Sequence, residues 1–292
     1  MRSLPSEKQI EMYYGNEQAC IQYLLEKGVL YTRDVCPYCE TGGMKRYLSR
    51  FKQWTCNNKK CNRKISVFKD SFFAKNHIRC HDLLRIAYKC LSGQNYSSIL
   101  NQTEHSSGTI CDHMRLYREL VAEFVEEEHT IIGGPGIEVE VDESKFGRVK
   151  YHRGHAVDGV WVLGGVERTE QRRVFLAFVP NRAASTLVEV LRQHVKPGST
   201  VYTDLWKGYN NIEDELSVHH LTVNHSKAFK DPNTGAHTNN IEGTWSGIKG
   251  KIAPRNRTAT YIDDHLMEFI WRRQNAKDLW GGFLKCLKTS KY

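Results

Sequence analysis

Two short cysteine pairs near the N-terminus constrain this chain more than any other feature. Cys36-Pro37-Tyr38-Cys39 and Cys56-Asn57-Asn58-Lys59-Lys60-Cys61 are separated by about sixteen residues, a spacing that lets two knuckle turns offer four thiolates to one tetrahedral zinc ion. The stretch between them places Tyr47, Phe51 and Trp54 among Lys45, Arg46, Arg50 and Lys52. So small a hairpin buries too little to fold without its metal. A zinc ribbon over residues 35–76 is therefore expected, with Cys36, Cys39, Cys56 and Cys61 as ligands. Ahead of it, in residues 1–34, Ile10, Tyr13, Tyr14, Ile21, Leu24 and Leu25 recur at helical spacing. They predict one packing helix over residues 6–27, stopped by Gly28. The nine cysteines are odd in number and four sit at metal-ligand spacing, which argues for a reducing compartment over a disulfide framework.

Residues 77–128 read as helical. Asp82 to Leu91 ends at Ser92-Gly93, a short helix follows near Tyr96–Asn101, and a longer one starts near Ser106. The long helix has Ile110, Met114, Tyr117, Leu120, Val121 and Phe124 on one face. Short helix, tight turn and long helix form a helix-turn-helix pattern. Its candidate DNA contacts are Ser106, Ser107, Thr109, Asp112, His113 and Arg115. A formal charge of +9 and a pI near 9.0 point to a polyanionic partner, nucleic acid first. No run of apolar residues is long enough to span a membrane, and Met1–Glu7 lacks the apolar core of a secretory signal.

A Gly/Pro-rich linker at 129–136 marks a change of period. Ile137-Glu138-Val139-Glu140-Val141-Asp142 alternates strictly, so Glu138, Glu140 and Asp142 share one strand face. A solvated face is the reading for Glu138, and Asp142, at the strand's end, is the acid of interest. Lys145, Arg148, Lys150 and Arg153 then suit a basic hairpin turn over a phosphate backbone. Strands near 160–167 and 173–179, a helix over 183–194 and a strand ending at Asp204 follow. Three consecutive strands, a crossover helix and a fourth strand describe a ribonuclease H-like sheet in residues 137–292, with the first and fourth strands adjacent. Asp142 and Asp204 would then be neighbours.

Further on, Ile241, Trp245, Ile248 and Ile252 make the apolar stripe of a helix, with Thr238 or Asn239 as its N-cap. Glu242 sits at the stripe's edge and Lys249 lies almost in line with it, two turns away. A last helix is expected over 261–275. Converging carboxylates repel unless a cation lies between them. Magnesium, or manganese, suits such oxygen ligands beside phosphate. Two such ions serve an in-line displacement at phosphorus: Asp142 would bridge both, Asp204 hold one and Glu242 the other. Lys249 would reach the DNA backbone near the scissile phosphate, and Lys207, with Trp206, Tyr209 and His225, would shape the pocket.

These residues also carry a resemblance. Asp142-Glu143-Ser144, Asp204-Leu205-Trp206-Lys207-Gly208-Tyr209, Asn224-His225-Ser226 and His237-Thr238-Asn239-Asn240-Ile241-Glu242-Gly243-Thr244-Trp245-Ser246-Gly247-Ile248-Lys249 resemble the Merlin superfamily of DDE transposases, related to bacterial insertion-sequence enzymes of the ISXO-like type. The similarity takes in the ribbon and the helix-turn-helix. It implies a ribonuclease H-like (DDE integrase-type) α/β catalytic domain, metal-dependent cleavage at terminal inverted repeats and strand transfer into target DNA. It also implies a homo-oligomer in the synaptic complex, working in the nucleus of a eukaryote or the nucleoid of a bacterium. Asp142, Asp204 and Glu242 take the catalytic positions. Some bacterial relatives have asparagine as third residue, which keeps Asn240 in contention. Two other readings fit the same residues: a transposase-derived DNA-binding regulator that does not cut, and a ribonuclease H-like nuclease of repair.

Overall fold

The computed structural model describes residues 3–47, 49, 51–147, 159–223 and 237–290. The chain divides into two compact units, one of residues 1–124 with 275–292, the other of residues 125–274. The first unit begins with α1 (Glu7–Tyr14) and α2 (Glu17–Glu26). The single helix expected over 6–27 is thus interrupted at Gly15-Asn16. There the Asn16 side chain accepts the Ala19 N–H at 2.8 Å and starts a new helix, as an N-cap does. The strands β1 (Gln53–Thr55) and β2 (Lys64–Ser66) pair antiparallel on either side of the second cysteine knuckle. Then come α3 (Cys80–Leu91), α4 (Tyr96–Asn101) and α5 (Ser107–Ala122). Ser106 caps α5 by accepting the Thr109 N–H at 3.2 Å. Ile110, Tyr117, Leu120 and Val121 turn inward.

The second unit is a mixed sheet with helices on both faces. Its strands are β3 (Ile132–Gly133), β4 (Glu138–Phe146), β5 (Val160–Glu167) and β6 (Val174–Val179). After α6 (Ala184–His194) come β7 (Val195–Lys196), β8 (Thr200–Asp204), α7 (Ile212–Leu216) and β9 (His219–Val223). The unit closes with α8 (Asn239–Lys251) and α9 (Ile262–Gln274). The main sheet has the order β6-β5-β4-β8-β9. The first three strands in sequence pair antiparallel, and β8 joins β4 and β9 in parallel. Parallel pairing of β8 to β4 needs a crossover, which α6 supplies.

Strand alternation sorts the two cores. Val139, Val141, Leu163 and Val201 pack with Leu187, Val188 and Leu191 of α6 on one face. Phe146, Val162, Val166 and Leu176 pack with Ile241, Trp245 and Ile248 of α8 and Leu266 and Ile270 of α9 on the other. A final helix, α10 (Leu279–Thr289), belongs to the first unit, where Trp280, Phe283, Leu284 and Leu287 are buried. The span 137–292 expected to run as one domain is therefore divided between the two units.

Candidate active site

The site is built where α8 lies along β4. Glu140, Asp142 and Ser144 project from one face of the strand, and each meets a successive turn of the helix. At the first rung, the Glu140 carboxylate accepts the backbone N–H groups of Asn240 (2.8 Å) and Ile241 (3.1 Å). At the second, the Trp245 indole N–H donates to Asp142 Oδ2 at 2.9 Å. At the third, Lys249 Nζ donates to Ser144 Oγ at 2.5 Å. The rungs hold register because the rises match: about 13 Å for four strand residues and about 13 Å for nine helical ones.

Glu140 is the residue that sequence reasoning missed. The sequence assigned Glu140 no role of its own, but Glu140 is fully buried. The side chain of Thr238, one of the expected caps, makes no cap hydrogen bond. Glu140 does that work from 100 positions away, at the positive end of the helix dipole. The signal was present in its shared strand face with Asp142, but its partners become visible only in the folded chain.

Gly164 of β5 stands opposite Asp142. A Cβ there would lie 2.6 Å from Cη2 of Trp245 and 2.9 Å from Leu176 Cδ2. The absent side chain is what lets the indole lie over the sheet and reach Asp142.

The β4–β8 register pairs Glu140 with Tyr202. The pairing ends there; Asp142 and Asp204 each lie two residues further along these neighbouring strands, near enough for the Asp204 charge to act on Asp142. Burial pushes the Asp142 carboxyl up to about 7; Glu143 and Asp204 push the same way, against the Trp245 hydrogen bond. Asp204 Oδ1 accepts the Trp206 N–H at 2.9 Å. On the opposite face of β4, buried Glu143 accepts from Tyr209 Oη at 2.5 Å and from Arg182 Nη1 at 3.2 Å. Burial raises the Glu143 carboxyl too, with Asp204 adding to it. The middle of β4 and the end of β8 thus concentrate negative charge in a partly dry place, the condition that favours a bound cation.

The edges of α8 separate Asn240 from Glu242. Asn240 donates its side-chain N–H to Glu140 Oε1 and accepts from Arg172 Nη2, at 2.8 Å and 2.9 Å. Arg172 lies between β5 and β6, so Asn240 occupies the edge toward those strands. Glu242 is about 200° further round the helix and only about 20° from the line of Lys249. It is exposed and accepts from Thr238 Oγ1 at 3.3 Å. The burial that lowers the Lys249 pKa is reinforced by Arg257, while Asp142 acts in the opposite sense. Lys207 is exposed, as are Ser107 and Arg115 on α5. Arg148, Lys150, Arg153 and His225 lie outside the described residues.

In the first unit, the Sγ atoms of Cys36, Cys39, Cys56 and Cys61 all lie within 4.8 Å of one another. Cys39 and Cys56 are 3.6 Å apart, and Cys36 and Cys61 3.9 Å. Thiolates around a tetrahedral zinc at ~2.3 Å would be separated by ~3.8 Å. Each knuckle ends on a left-handed residue, Glu40 after Cys39 and Asn62 after Cys61. The cluster could hold zinc. Among the described residues, no set of three carboxylates is drawn together so closely.

Comparison with known proteins places the chain in a family. Over 106 residues the chain is 30% identical to an uncharacterized transposase-like protein of Haemophilus influenzae, covering 36% of this chain and 84% of that relative. Residues 120–274, more than half of the chain and the whole second unit, match the family described as the ISXO2-like transposase domain. With its sheet and the helix docked on β4 inside the matched span, the chain belongs to the ISXO2-like transposase family.

Proposed function

We propose that this chain is a DDE transposase whose second unit is a ribonuclease H-like catalytic domain that cuts element ends and joins them to target DNA. The observation that carries the reading is the placing of Asp142 and Asp204 on neighbouring parallel strands, under a helix that bears Glu242. The strand order and the crossover through α6 support the fold. Asp142 and Asp204 would hold magnesium or manganese, and their like charges and partial burial fit that role. Glu242 supplies the third carboxylate. It is preferred over Asn240, whose amide is engaged by Glu140 and Arg172 on the far edge of α8. The bound cations would activate a water or 3′-hydroxyl and stabilise the leaving oxygen. Trp245 fixes the Asp142 rotamer, and Lys249, anchored on Ser144, sets positive charge where a phosphate backbone would pass.

The first unit is the DNA-recognition part in this reading. Zinc on the four cysteines would fix the ribbon, and α4 and α5 form a helix-turn-helix with Ser107 and Arg115 turned to solvent. Such binding weakens steeply with salt, because phosphate contacts release counterions. Pairs of ends would be held by a homo-oligomer.

The test uses duplexes carrying the DNA that flanks the gene. In magnesium the chain should nick them at a fixed position and join the 3′ end to a second duplex. Asp204→Asn should bind these duplexes and leave them uncut. Binding without cutting by the unsubstituted chain would support a regulator instead, and cutting without joining a nuclease.

A further inference from the structure

Leu205, Trp206 and Lys207 follow directly on Asp204, and all three are exposed, Leu205 by 55% and Trp206 by 37%. Large apolar side chains at a surface are ordinary when they are mobile and scattered. Trp206 is neither. Its backbone N–H is tied to Asp204 Oδ1, and its indole N–H donates to the Arg182 carbonyl at 3.4 Å. The Arg182 guanidinium lies 4.2 Å from the Trp206 ring centroid and 4.2 Å from that of Trp161. Glu143 holds that guanidinium from beneath. Even Gly208 serves the same end, since a Cβ there would stand 2.7 Å from Trp206 Nε1. Lys145 Nζ also lies 5.6 Å from the centroid of the Trp161 ring.

The result is a ladder of cation and ring that presents one fixed, partly exposed indole beside the candidate catalytic acid. We propose that Trp206, backed by Arg182 and edged by Leu205 and Lys207, is a stacking platform for an unpaired DNA base next to the candidate catalytic acid Asp204. A nucleobase fits because it combines a flat apolar face with a phosphate on each side. Arg182, Lys207 and Lys145 supply the complementary charge, and bases stack well on aromatic and guanidinium planes. A base paired within a duplex has both faces covered, so the ligand is a base that has left the stack. The proposal rests on the DNA-processing reading and is separable from it.

The probes are a short oligothymidylate, the same backbone with abasic sites throughout, and a duplex, each bound to the full-length chain. The oligothymidylate should bind more tightly than the abasic strand. Trp206→Ala should weaken oligothymidylate binding by about tenfold, within the range known for base–aromatic stacks, and leave the abasic strand and the duplex unaffected. Trp206→Phe should retain most of the affinity. Photocrosslinking of an iodouracil-substituted strand to the unsubstituted chain should map to Trp206, a readout that does not depend on the alanine variant folding. Equal binding of the thymidylate and abasic strands, or a crosslink elsewhere, would overturn the platform while duplex binding stood. Failure to bind any of the three would overturn the DNA-processing reading as well.

Discussion

At the scale of single residues, the account turns on how Asp142 is held. Its carboxyl is pushed up to about 7, chiefly by burial, so the folded chain resists ionising it. Below pH ~4 it is protonated in both folded and unfolded chains and costs nothing. As pH rises toward 7 the unfolded chain ionises first and stability falls, and above 7 the loss is constant. Asp142→Asn, which keeps an acceptor for Trp245, should therefore stabilise the chelated protein at pH 8 by on the order of 4 kcal/mol. At pH 4 the gain should be close to zero. Urea denaturation at the two pH values checks this, and an equal gain at both would contradict it. Gly164 is the complementary case. Gly164→Ala should push the Trp245 indole off the sheet, costing about 1–3 kcal/mol by overpacking and breaking its bond to Asp142. Near-ultraviolet circular dichroism and denaturation would register both effects.

At the scale of elements, α8 is held to β4 by charge as well as by its apolar stripe. Buried Glu140 caps the helix and accepts from Arg168 Nε at 2.7 Å. Glu140→Ala should cost about 3–5 kcal/mol, because it leaves a largely buried guanidinium short of a partner. Arg168 keeps Glu138 at 2.8 Å, which favours the lower end of that range. Amide exchange should quicken first at Asn240 and Ile241, and Glu140→Gln should fall between the two proteins. Part of this region was legible in the sequence. Strict alternation located β4, the succession of strands and crossover helix gave the adjacency of β8, and the stripe of Ile241, Trp245 and Ile248 located α8; β4 runs on four residues past Asp142, which was expected at its end. The role of Glu140 was not legible, since a buried acid and a solvated one look alike until the partner 100 residues away is placed. The break at Gly15-Asn16 was also overlooked, although Gly followed by a capping Asn is a stop-and-start signal. Likewise α10 was overlooked despite its Trp280, Phe283, Leu284 and Leu287 spacing.

At the scale of the whole molecule, the two units depend on different things. The ribbon of the first has little apolar core and leans on its four cysteines, whereas the sheet of the second is buried on both faces. Metal analysis should find one zinc per chain, lost in the Cys36→Ser, Cys61→Ser double variant. Chelation should release amide protection in β1 and β2 and leave that of β4, β5 and β8 unchanged; protection that survives chelation would mean the ribbon folds on its packing alone. No described helix is long and apolar enough to cross a membrane. The central claim, however, concerns the second unit: Asp142 and Asp204 together form a divalent-cation site completed by Glu242 and not by Asn240. Calorimetric titration of manganese into the zinc-loaded chain tests it most directly, with Asp142→Asn, Asp204→Asn, Glu242→Gln and Asn240→Ala alongside. The account predicts binding to the unsubstituted chain and to Asn240→Ala, abolished by either aspartate change and weakened by Glu242→Gln. Manganese binding that survives Asp204→Asn, or that is lost only in Asn240→Ala, would contradict it.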